Sequence, residues 1–591
     1  MRVNKKVIAF IIPVILILYY WKDIILNIST HLYDWRDVPF VAWVMQNNIW
    51  HIWNMDFDNL YNTNAMYPFS HTLSFTEHMF FPSLLAFFVS LFAKNIIVVI
   101  NNMYLINHIA IYVCTYLLSG RFTKNRWIKV LLSFYMVFSP YMLSQMSHFQ
   151  MVFFWPLLLS LYFLFHPKHK PLHTVLTGVF LGLQFLSSVY LGVMGMMIVL
   201  IWYVYQFIDT VLTHKSLHEY FKQVGIVFAV FLGISMYSIY GYIQMLEIYK
   251  PVIDQGQLVT YAAHPTDYAL VLSPATSLLH KIFDFFSQAN HHTWGETAAF
   301  PGIFPLVVIL IGIFFYFKKN KNVAKQNGSK ALLFWSLSLI VTGFIFSLGP
   351  RLNWNGVYLV TPLPYYLIYK FVPFMTAIRA TARWYFVFHF GIYLLSLYLL
   401  NQIDEQMKKQ ANRTMNIFLI LLFILLLVEQ YPLPIQATSR QWMTKTVLTV
   451  QKECEKDPGP LLEYPLVYRL EKDNPISNLE YTTNILLTST EYTCEYLSGF
   501  SGYEPKKYNE YKKFFENNEF NESSVAFLKK MQFKYVKINK QALFPLQNSS
   551  MSAVLQNGGF DKLTEDETSS LYKYNSLHDP VVNSFDKEKG H

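Results

Sequence analysis

Hydrophobic windows recur along this chain, and their length gives the first prediction. Apolar stretches of about 17 to 25 residues are long enough to cross the hydrocarbon core of a bilayer as helices. The pattern predicts eleven spans, at roughly 6–25, 96–118, 129–145, 151–166, 174–190, 192–212, 223–245, 300–317, 331–348, 384–402 and 415–431. The first window lacks a small-residue cleavage site behind it, so we expect a retained anchor rather than a signal peptide.

The polar segments between the spans alternate in charge. The short ones are basic: they are 121–129, 168–170, 215–222, 318–330 and 408–413. With a cytoplasmic N-terminus all of these lie inside, as the positive-inside rule requires, and the loops 22–95, 246–299 and 349–383 lie outside. Met79–Ala93 is apolar but only about 15 residues long, and counting it as a span would place 121–129 outside. We therefore expect an interfacial or re-entrant helix there.

Residues 432–591 have no spanning window and predict a small extracytoplasmic α/β domain. Strands are expected at 460–464 and 533–538, helices at 508–515 and 523–531, and a disordered tail after about 575. The predicted fold class is a polytopic α-helical membrane protein, with about 11 transmembrane helices in a domain 1–431 that is followed by this domain 432–591.

Composition supports a membrane protein and bears on its partners, and the Lys-, Asn- and Tyr-rich content suits a bacterial plasma membrane. Only 14% of the 591 residues are charged, whereas soluble domains average about 25%. The net charge of +10 comes largely from the short basic loops, which indicates a topology signal and no nucleic-acid partner. Three cysteines exclude a disulfide scaffold; Cys454 and Cys494 are expected either to pair or to remain two free thiols. The sequence contains no phosphate-binding glycine loop and no dinucleotide fingerprint.

The first external loop offers the best candidate for a catalytic base. Residues 37–53 have an amphipathic pattern typical of a helix on the membrane surface, and Asp37 begins it. A sugar transferase needs a carboxylate that accepts the proton of the attacking hydroxyl, and a helix N-terminus favours an ionised carboxylate. The alternatives are that Asp37 only caps the helix or pairs with Arg36.

Two further polar groups lie at the predicted outer mouths of spans. Glu77 and His78 precede the Met79–Ala93 segment and are candidates for substrate binding, for acid–base chemistry or for a divalent metal. His292 and Glu296 precede the span at 300–317 and suit capture of a polar substrate. For both, a solvated polar edge without chemistry is the alternative, and no cofactor is established by the sequence.

External arginines are the third group, because the positive-inside bias disfavours them. They are Arg351, Arg379 and Arg383 in the loop 349–383. Arg379 and Arg383 stand four residues apart, which predicts a shared helix face. Guanidinium groups bind phosphate well, and contact with lipid headgroups is the alternative.

At these residues the chain resembles the GT-C superfamily of integral membrane glycosyltransferases, which includes protein O-mannosyltransferases and the aminoarabinose transferase of lipid A. The stretches that carry the resemblance follow one another in order. They are 37–43, 64–68, 73–78, 138–141, Leu186-Ser-Ser-Val-Tyr190, Phe300-Pro-Gly302, 347–350, 363–365 and Pro373-Phe-Met-Thr-Ala-Ile-Arg379-Ala-Thr-Ala-Arg383, then 461–465 and 499–503 in the C-terminal segment.

The resemblance implies a polyprenyl-phosphate-linked sugar as donor, an active site at the outer face and an acidic catalytic residue in the first external loop, here Asp37. The family usually has Gly-Asp at that point, whereas this chain has Arg36-Asp37. Because of that departure Asp34 is kept as a second candidate for the base.

Two hypotheses follow for the function. In the first, the chain transfers a sugar from a lipid phosphate to an extracytoplasmic acceptor, which is a cell-envelope polymer, a lipid or a protein. In the second, it is a non-catalytic flippase or transporter, or a scaffold, for lipid-linked saccharides. A transporter places ionisable residues within its spans. Here they gather at the outer mouths, which favours the transferase.

Overall fold

The computed structural model describes residues 5–167, 170–251, 255–268, 299–317, 327–354, 357–360, 362–371, 378–407, 412–431, 434, 435, 437–440, 442–468, 470, 475–517 and 520–575. The chain divides into two compact units. The helical unit comprises Met1–Leu26, Tyr104–Met236 and Val252–Gln436. The mixed unit comprises Asn27–Met103, Tyr237–Pro251 and Ala437–His591. The His292–Glu296 stretch and the tail after 575 lie outside the described residues.

In chain order the described helices are α1 (Lys5–Tyr20), α2 (Lys22–Leu26), α3 (Val38–Trp53), α4 (Phe80–Ser90), α5 (Ile96–Ser119), α6 (Arg126–Val137), α7 (Pro140–Ser144), α8 (Phe149–Val152), α9 (Trp155–Leu164), α10 (Pro171–Ser187), α11 (Val189–Leu212), α12 (Leu217–Tyr249), α13 (Gln255–Thr260), α14 (Ile303–Phe317), α15 (Asn327–Ser347), α16 (Pro364–Phe371), α17 (Tyr385–Met407), α18 (Asn412–Gln430), α19 (Lys445–Lys456), α20 (Pro475–Thr488), α21 (Lys506–Asn517), α22 (Glu522–Lys530) and α23 (Pro545–Asn557). The strands are β1 (His31–Leu32), β2 (Leu352–Trp354), β3 (Val357–Val360), β4 (Thr438–Ser439), β5 (Leu461–Tyr464), β6 (Tyr535–Asn539), β7 (Phe560–Glu565) and β8 (Ser569–Tyr574).

Six helical segments of the described chain are long and apolar enough to cross a membrane. They are Ile96–Ser119, Arg126–Ser144, Val189–Leu212, Leu217–Tyr249, Lys330–Ser347 and Thr381–Met407. Shorter apolar helices lie at Ile11–Tyr20, Phe80–Ser90, Phe149–Leu164, Pro171–Ser187, Ile303–Phe315 and Thr414–Gln430. The protein is therefore a multi-pass membrane protein. Each predicted span overlaps one of these helices, while the count of about eleven stays a prediction.

The core of the helical unit is built around α17, which is buried on nearly all sides and packs most extensively against α15. Two glycines permit the close approach of these helices. A Cβ on Gly391 of α17 would lie 2.9 Å from the carbonyl oxygen of Ser336, and one on Gly343 of α15 would lie 2.2 Å from the backbone nitrogen of Phe388. Any larger residue at either position would push the two helices apart.

The mixed unit contains a four-stranded sheet with the order β5-β6-β8-β7. Strands β5 and β6 are parallel, and the other neighbours are antiparallel. The predicted strands at 460–464 and 533–538 are confirmed as β5 and β6, and the predicted helices at 508–515 and 523–531 as α21 and α22. Cys454 and Cys494 form a disulfide, which settles the alternative that the sequence left open.

The first long loop joins this sheet. Tyr496 forms parallel bridges with both Leu461 of β5 and Ala65 of the loop. Its backbone nitrogen donates to the carbonyl of Asn64 at 2.7 Å, and its carbonyl accepts from the nitrogen of Tyr67 at 2.9 Å. Strands β1 and β4 form a second, antiparallel connection between the same two parts of the chain. The loop and the C-terminal segment therefore fold as one unit.

The predicted helix at 37–53 is confirmed as α3, but the first half of the helix has no exposed face. Every residue from Val38 to Met45 is buried, because α4 packs on one side of the helix and α20 on another. The sequence pattern predicted a helix on the membrane surface and neither of these contacts. An amphipathic pattern indicates a single apolar face, so it does not predict that a second side of the helix is also covered.

Candidate active site

Asp37 occupies the N-cap position of α3 and is half-buried. Its side chain does not accept the capping hydrogen bond from the first turn, so the capping alternative is wrong in its usual form. Pro39 in that turn has no backbone N–H. Asp37 thus stands at the N-terminus of a helix, where the helix dipole in general favours negative charge such as that of a carboxylate acting as a base.

Asp34 is engaged by Arg36. The Oδ1 atom of Asp34 accepts from the backbone nitrogen of Arg36 at 3.2 Å and from its Nε at 2.9 Å. The hydrogen bond to Asp34 raises the pKa of the Arg36 guanidinium, and the carboxylates of Asp37 and Glu480 add to this. Burial, with help from Asp34, raises the pKa of Tyr33 to about 12. The arginine that stands at the expected glycine position therefore pairs with Asp34 and offsets part of the negative charge there.

Glu77 and His78 are buried within the mixed unit. The Nδ1 atom of His78 lies 3.1 Å from the hydroxyl of Tyr242, which donates to the carbonyl of Thr76 at 2.8 Å. The carbonyl of His78 accepts from Nδ2 of Asn48 at 2.7 Å. Burial lowers the pKa of His78 to about 3, so the ring is neutral at physiological pH. His78 therefore lies just before α4 and contacts both α3, through Asn48, and the C-terminal part of α12, through Tyr242.

Metal ligation was an open possibility for the Glu77–His78 pair. No group of three His, Cys, Asp or Glu side chains within the described part of the chain is arranged to hold a metal ion. The candidate substrate-binding role of the two residues stays a prediction, and so does that of His292 and Glu296, whose placement is not described.

In the helical unit the structure brings Arg379 and Arg383 to one tyrosine. The hydroxyl of Tyr190, in the first turn of α11, accepts from the backbone nitrogens of Arg379 at 3.0 Å and Ala380 at 3.3 Å. The Arg383 guanidinium lies over the ring of Tyr190, 5.0 Å from its centroid. The Arg379 guanidinium lies over the ring of Tyr261 at 4.9 Å. Both separations are within the range of cation–π attraction.

The predicted shared helix face of Arg379 and Arg383 is wrong. Arg379 precedes a 3₁₀ turn at Thr381–Trp384 that contains Arg383, and α17 begins only at Tyr385. The backbone nitrogens of this segment bond to other elements: that of Ala382 donates to the carbonyl of Tyr261 at 2.9 Å. These tertiary hydrogen bonds replace the i to i−4 bonds that an α-helix would need. Tyr190, and not helical periodicity, brings the two arginines together.

Arg351 is exposed after the turn that follows α15. Tyr190 and Tyr261 are further candidate site residues, which the sequence pattern did not identify. Tyr190 does end the stretch Leu186–Tyr190, one of those that carry the family resemblance. Tyr261 has no comparable signal, because its role depends on a backbone contact far along the chain.

Comparison with solved structures identifies the fold. The chain is similar to the arabinofuranosyltransferase AftD from mycobacteria, with a TM-score of 0.56 and 9% identity over 97% of this chain. It spans only 42% of the length of that protein. The archaeal oligosaccharyltransferase AglB from Archaeoglobus fulgidus, in complex with an inhibitory peptide and a dolichol-phosphate, has a TM-score of 0.48 and 14% identity, over 97% of this chain and 75% of that one. The likeness to AftD shows that the fold of the chain is GT-C, as its sequence resemblance implied.

Comparison at the level of sequence adds the family. No curated protein matches the chain. The model of the family described as "domain of unknown function (DUF6311)" matches residues 13–431. That match covers well over half of the sequence, and the chain belongs to this family.

Proposed function

We propose that the protein is a membrane glycosyltransferase that moves a sugar from a lipid-phosphate donor to an acceptor outside the cytoplasm. The observation that carries the proposal is the GT-C fold over 97% of the chain, found together with a half-buried carboxylate, Asp37, at the start of α3 in the first long loop. The neighbour AftD is by its name a transferase of arabinofuranose. The donor is expected to be a polyprenyl-phosphate-linked sugar.

In the proposed reaction Asp37 accepts the proton of the acceptor hydroxyl as its oxygen attacks the anomeric carbon. The bond between that carbon and the phosphate oxygen breaks, and the lipid phosphate leaves with the bonding electrons. Arg379 and Arg383 stabilise the negative charge that develops on the phosphate. The products are the glycosylated acceptor and the lipid phosphate, and Asp37 returns its proton to solvent.

In the same proposal, three further candidates bind the substrates and one is an alternative base. Glu296 orients the sugar or the acceptor, and His292 and Arg351 bind polar groups at the outer surface. Asp34 is the alternative base. Its Oδ1 atom is already engaged by the backbone nitrogen and the Nε of Arg36.

The disulfide supports the proposed orientation. Disulfides persist in oxidising compartments and are rare in the cytosol. Cys454 and Cys494 lie in the C-terminal segment, which folds in one unit with the first long loop. We therefore infer a cytoplasmic N-terminus and an extracytoplasmic mixed unit in the plasma membrane.

The test is transfer by purified, reconstituted protein from a labelled polyprenyl-phosphate sugar to envelope acceptors. Asp37→Asn is expected to reduce the rate by about 10²- to 10⁴-fold, the usual contribution of a general base. Asp34→Asn is expected to retain most activity. Asp58→Asn is the matched control, because Asp58 is an exposed aspartate of the same loop.

Normal transfer by Asp37→Asn would remove Asp37 from the mechanism. If the wild-type protein carries the labelled lipid across the bilayer and transfers nothing, the flippase hypothesis replaces the transferase. Mass spectrometry of envelope glycans from cells with and without the protein identifies the acceptor class.

A further inference from the structure

Tyr190 holds the arginine pair through two independent kinds of contact. Its position is fixed at the start of α11, where Ser188 caps the helix by accepting from the nitrogen of Leu191 at 3.3 Å. The phenol hydroxyl accepts the two consecutive N–H groups of Arg379 and Ala380. The phenol ring meanwhile lies against the guanidinium of Arg383.

Each contact has a distinct physical effect. A hydroxyl oxygen has two acceptor lone pairs, so Tyr190 satisfies both N–H groups and holds the segment out of an α-helix. The cation–π contact involves the face of the Arg383 guanidinium, whereas a guanidinium binds anions through the N–H groups along its edge. Arg383 is only 7% exposed, and at such a site attraction to an anion is screened less than in water.

The segment that carries the two arginines also contacts residues at the end of α13. Tyr261 receives the Arg379 guanidinium on its ring, and its carbonyl accepts from the nitrogen of Ala382. The hydroxyl of Thr381 donates to the carbonyl of Leu258 at 3.3 Å. The segment between the two arginines is thus bonded on both sides, which pre-organises their spacing.

We propose that Tyr190 is a positioning residue that sets Arg379 and Arg383 to receive the phosphate of a lipid-linked substrate. The inference rests on the proposed function, and it extends that function to a residue that touches the arginines and not the reacting atoms. The ligand chemistry is a phosphate group, and its two sources are a lipid phosphate and free inorganic phosphate. Pre-organisation lowers the entropic cost of binding, so its loss weakens affinity without removing either charge.

The test measures binding to the full chain in detergent, without an acceptor. The probes are polyprenyl phosphate, the uncharged polyprenol and inorganic phosphate. Tyr190→Phe keeps the ring and removes the acceptor of two hydrogen bonds, and is expected to weaken polyprenyl phosphate binding about tenfold. Tyr190→Leu also removes the aromatic face and is expected to weaken it further. Tyr205→Phe on the same helix is the matched control and should bind as the wild type.

Binding of the uncharged polyprenol distinguishes a loss of arginine positioning from a general loss of folding. Binding of polyprenol should be unchanged in Tyr190→Phe, since it offers no charge to the arginines. Equal loss for both lipids, or no loss for either, overturns the inference. If inorganic phosphate binds as tightly as the lipid phosphate and shows the same loss, the site recognises free phosphate instead.

Failure of this inference is distinguishable from failure of the proposed function. If the wild-type protein transfers sugar and Tyr190→Phe has unchanged binding and KM, only the inference fails. If Tyr190→Phe weakens phosphate binding selectively and the wild-type protein transfers nothing, the positioning role stands and the transferase does not. In an active enzyme the variant is expected to raise KM for the donor more than it lowers kcat.

Discussion

At the scale of single residues, the most consequential charges outside the candidate site are Glu463 and Lys537. They are opposite one another in the parallel register of β5 and β6, with side chains only 4% and 8% exposed and Nζ 3.2 Å from Oε1. Tyr492 also donates to Glu463. Lys537→Met leaves the carboxylate buried without its cation and is expected to lower the free energy of unfolding by about 3–5 kcal/mol.

Thermal and denaturant unfolding of the full chain in detergent check this prediction. Lys562→Met is the control, because its partner Glu565 lies on the exposed strand β7 and surface pairs contribute little. The double variant Glu463→Gln, Lys537→Met should be more stable than Lys537→Met alone. If the single and double variants are equally destabilised, the cost is one of packing and not of an isolated charge.

A second residue-scale prediction concerns pH and His78. Its pKa is about 3 in the folded protein and 6.5 in the unfolded chain, so below 6.5 the unfolded chain binds a proton that the folded protein does not. Stability is therefore fully present above pH 6.5 and is lost as pH falls toward 3. At pH 5 the loss from this group is about 2 kcal/mol. The groups that face the ring are the hydroxyls of Tyr242 and Ser238, with Glu77 adjacent in the chain.

His78→Gln does not titrate, and it provides the comparison. The difference in unfolding free energy between the wild type and His78→Gln should shrink by about 2 kcal/mol between pH 7 and pH 5. A difference that stays constant over that range would mean that the ring is protonated in the folded protein or accessible to water.

At the scale of elements, Asn64 of the first long loop links α3 to the C-terminal segment. Nε1 of Trp43 donates to Oδ1 of Asn64 at 3.1 Å, and Nδ2 of Asn64 donates to the carbonyl of Ser489 at 3.1 Å. Asn64→Leu leaves both partners without these bonds and is expected to cost about 1–3 kcal/mol. Hydrogen exchange across α3 should accelerate, since the helix opens with less energy. Asn59→Leu, at an exposed position of the same loop, should leave that exchange unchanged.

The sequence predicted elements well where a local pattern determines them. Helices α21 and α22 and strands β5 and β6 follow from periodicity over a few residues. The arginine pair could not be predicted in this way, because a tyrosine nearly two hundred residues earlier accepts its backbone hydrogen bonds. The burial of α3 was missed for the same reason: α20, which covers it, comes from the far end of the chain.

At the scale of the whole molecule, the sequence suggested a membrane protein with an outer domain but not which segments fold together. Helix length and loop charge are local quantities. The bridge from Ala65 to Tyr496 and the pairing of β1 with β4 join residues more than four hundred positions apart. Asp37 was predicted to begin a helix, and the structure places it at the N-cap of α3. That local position was therefore predictable, and the long-range pairing within the same unit was not.

The proposed orientation makes a prediction for the intact cell. Cys114 is buried in α5, and in a Cys114→Ser protein the disulfide holds both remaining cysteines. If the mixed unit is extracytoplasmic, an impermeant reductant followed by an impermeant maleimide will label Cys454 and Cys494 in intact cells.

A loop on the proposed cytoplasmic side supplies the opposite control. Lys124 is exposed between α5 and α6, and Lys124→Cys in a protein without native cysteines should be labelled only after permeabilisation. Labelling of position 124 in intact cells, or protection of Cys454 and Cys494 until the membrane is opened, would reverse the orientation. The carboxylate of Asp37 would then lie in the cytosol together with the rest of its unit, where a disulfide is chemically unfavoured. The labelling pattern thus decides on which side of the membrane the proposed transfer takes place.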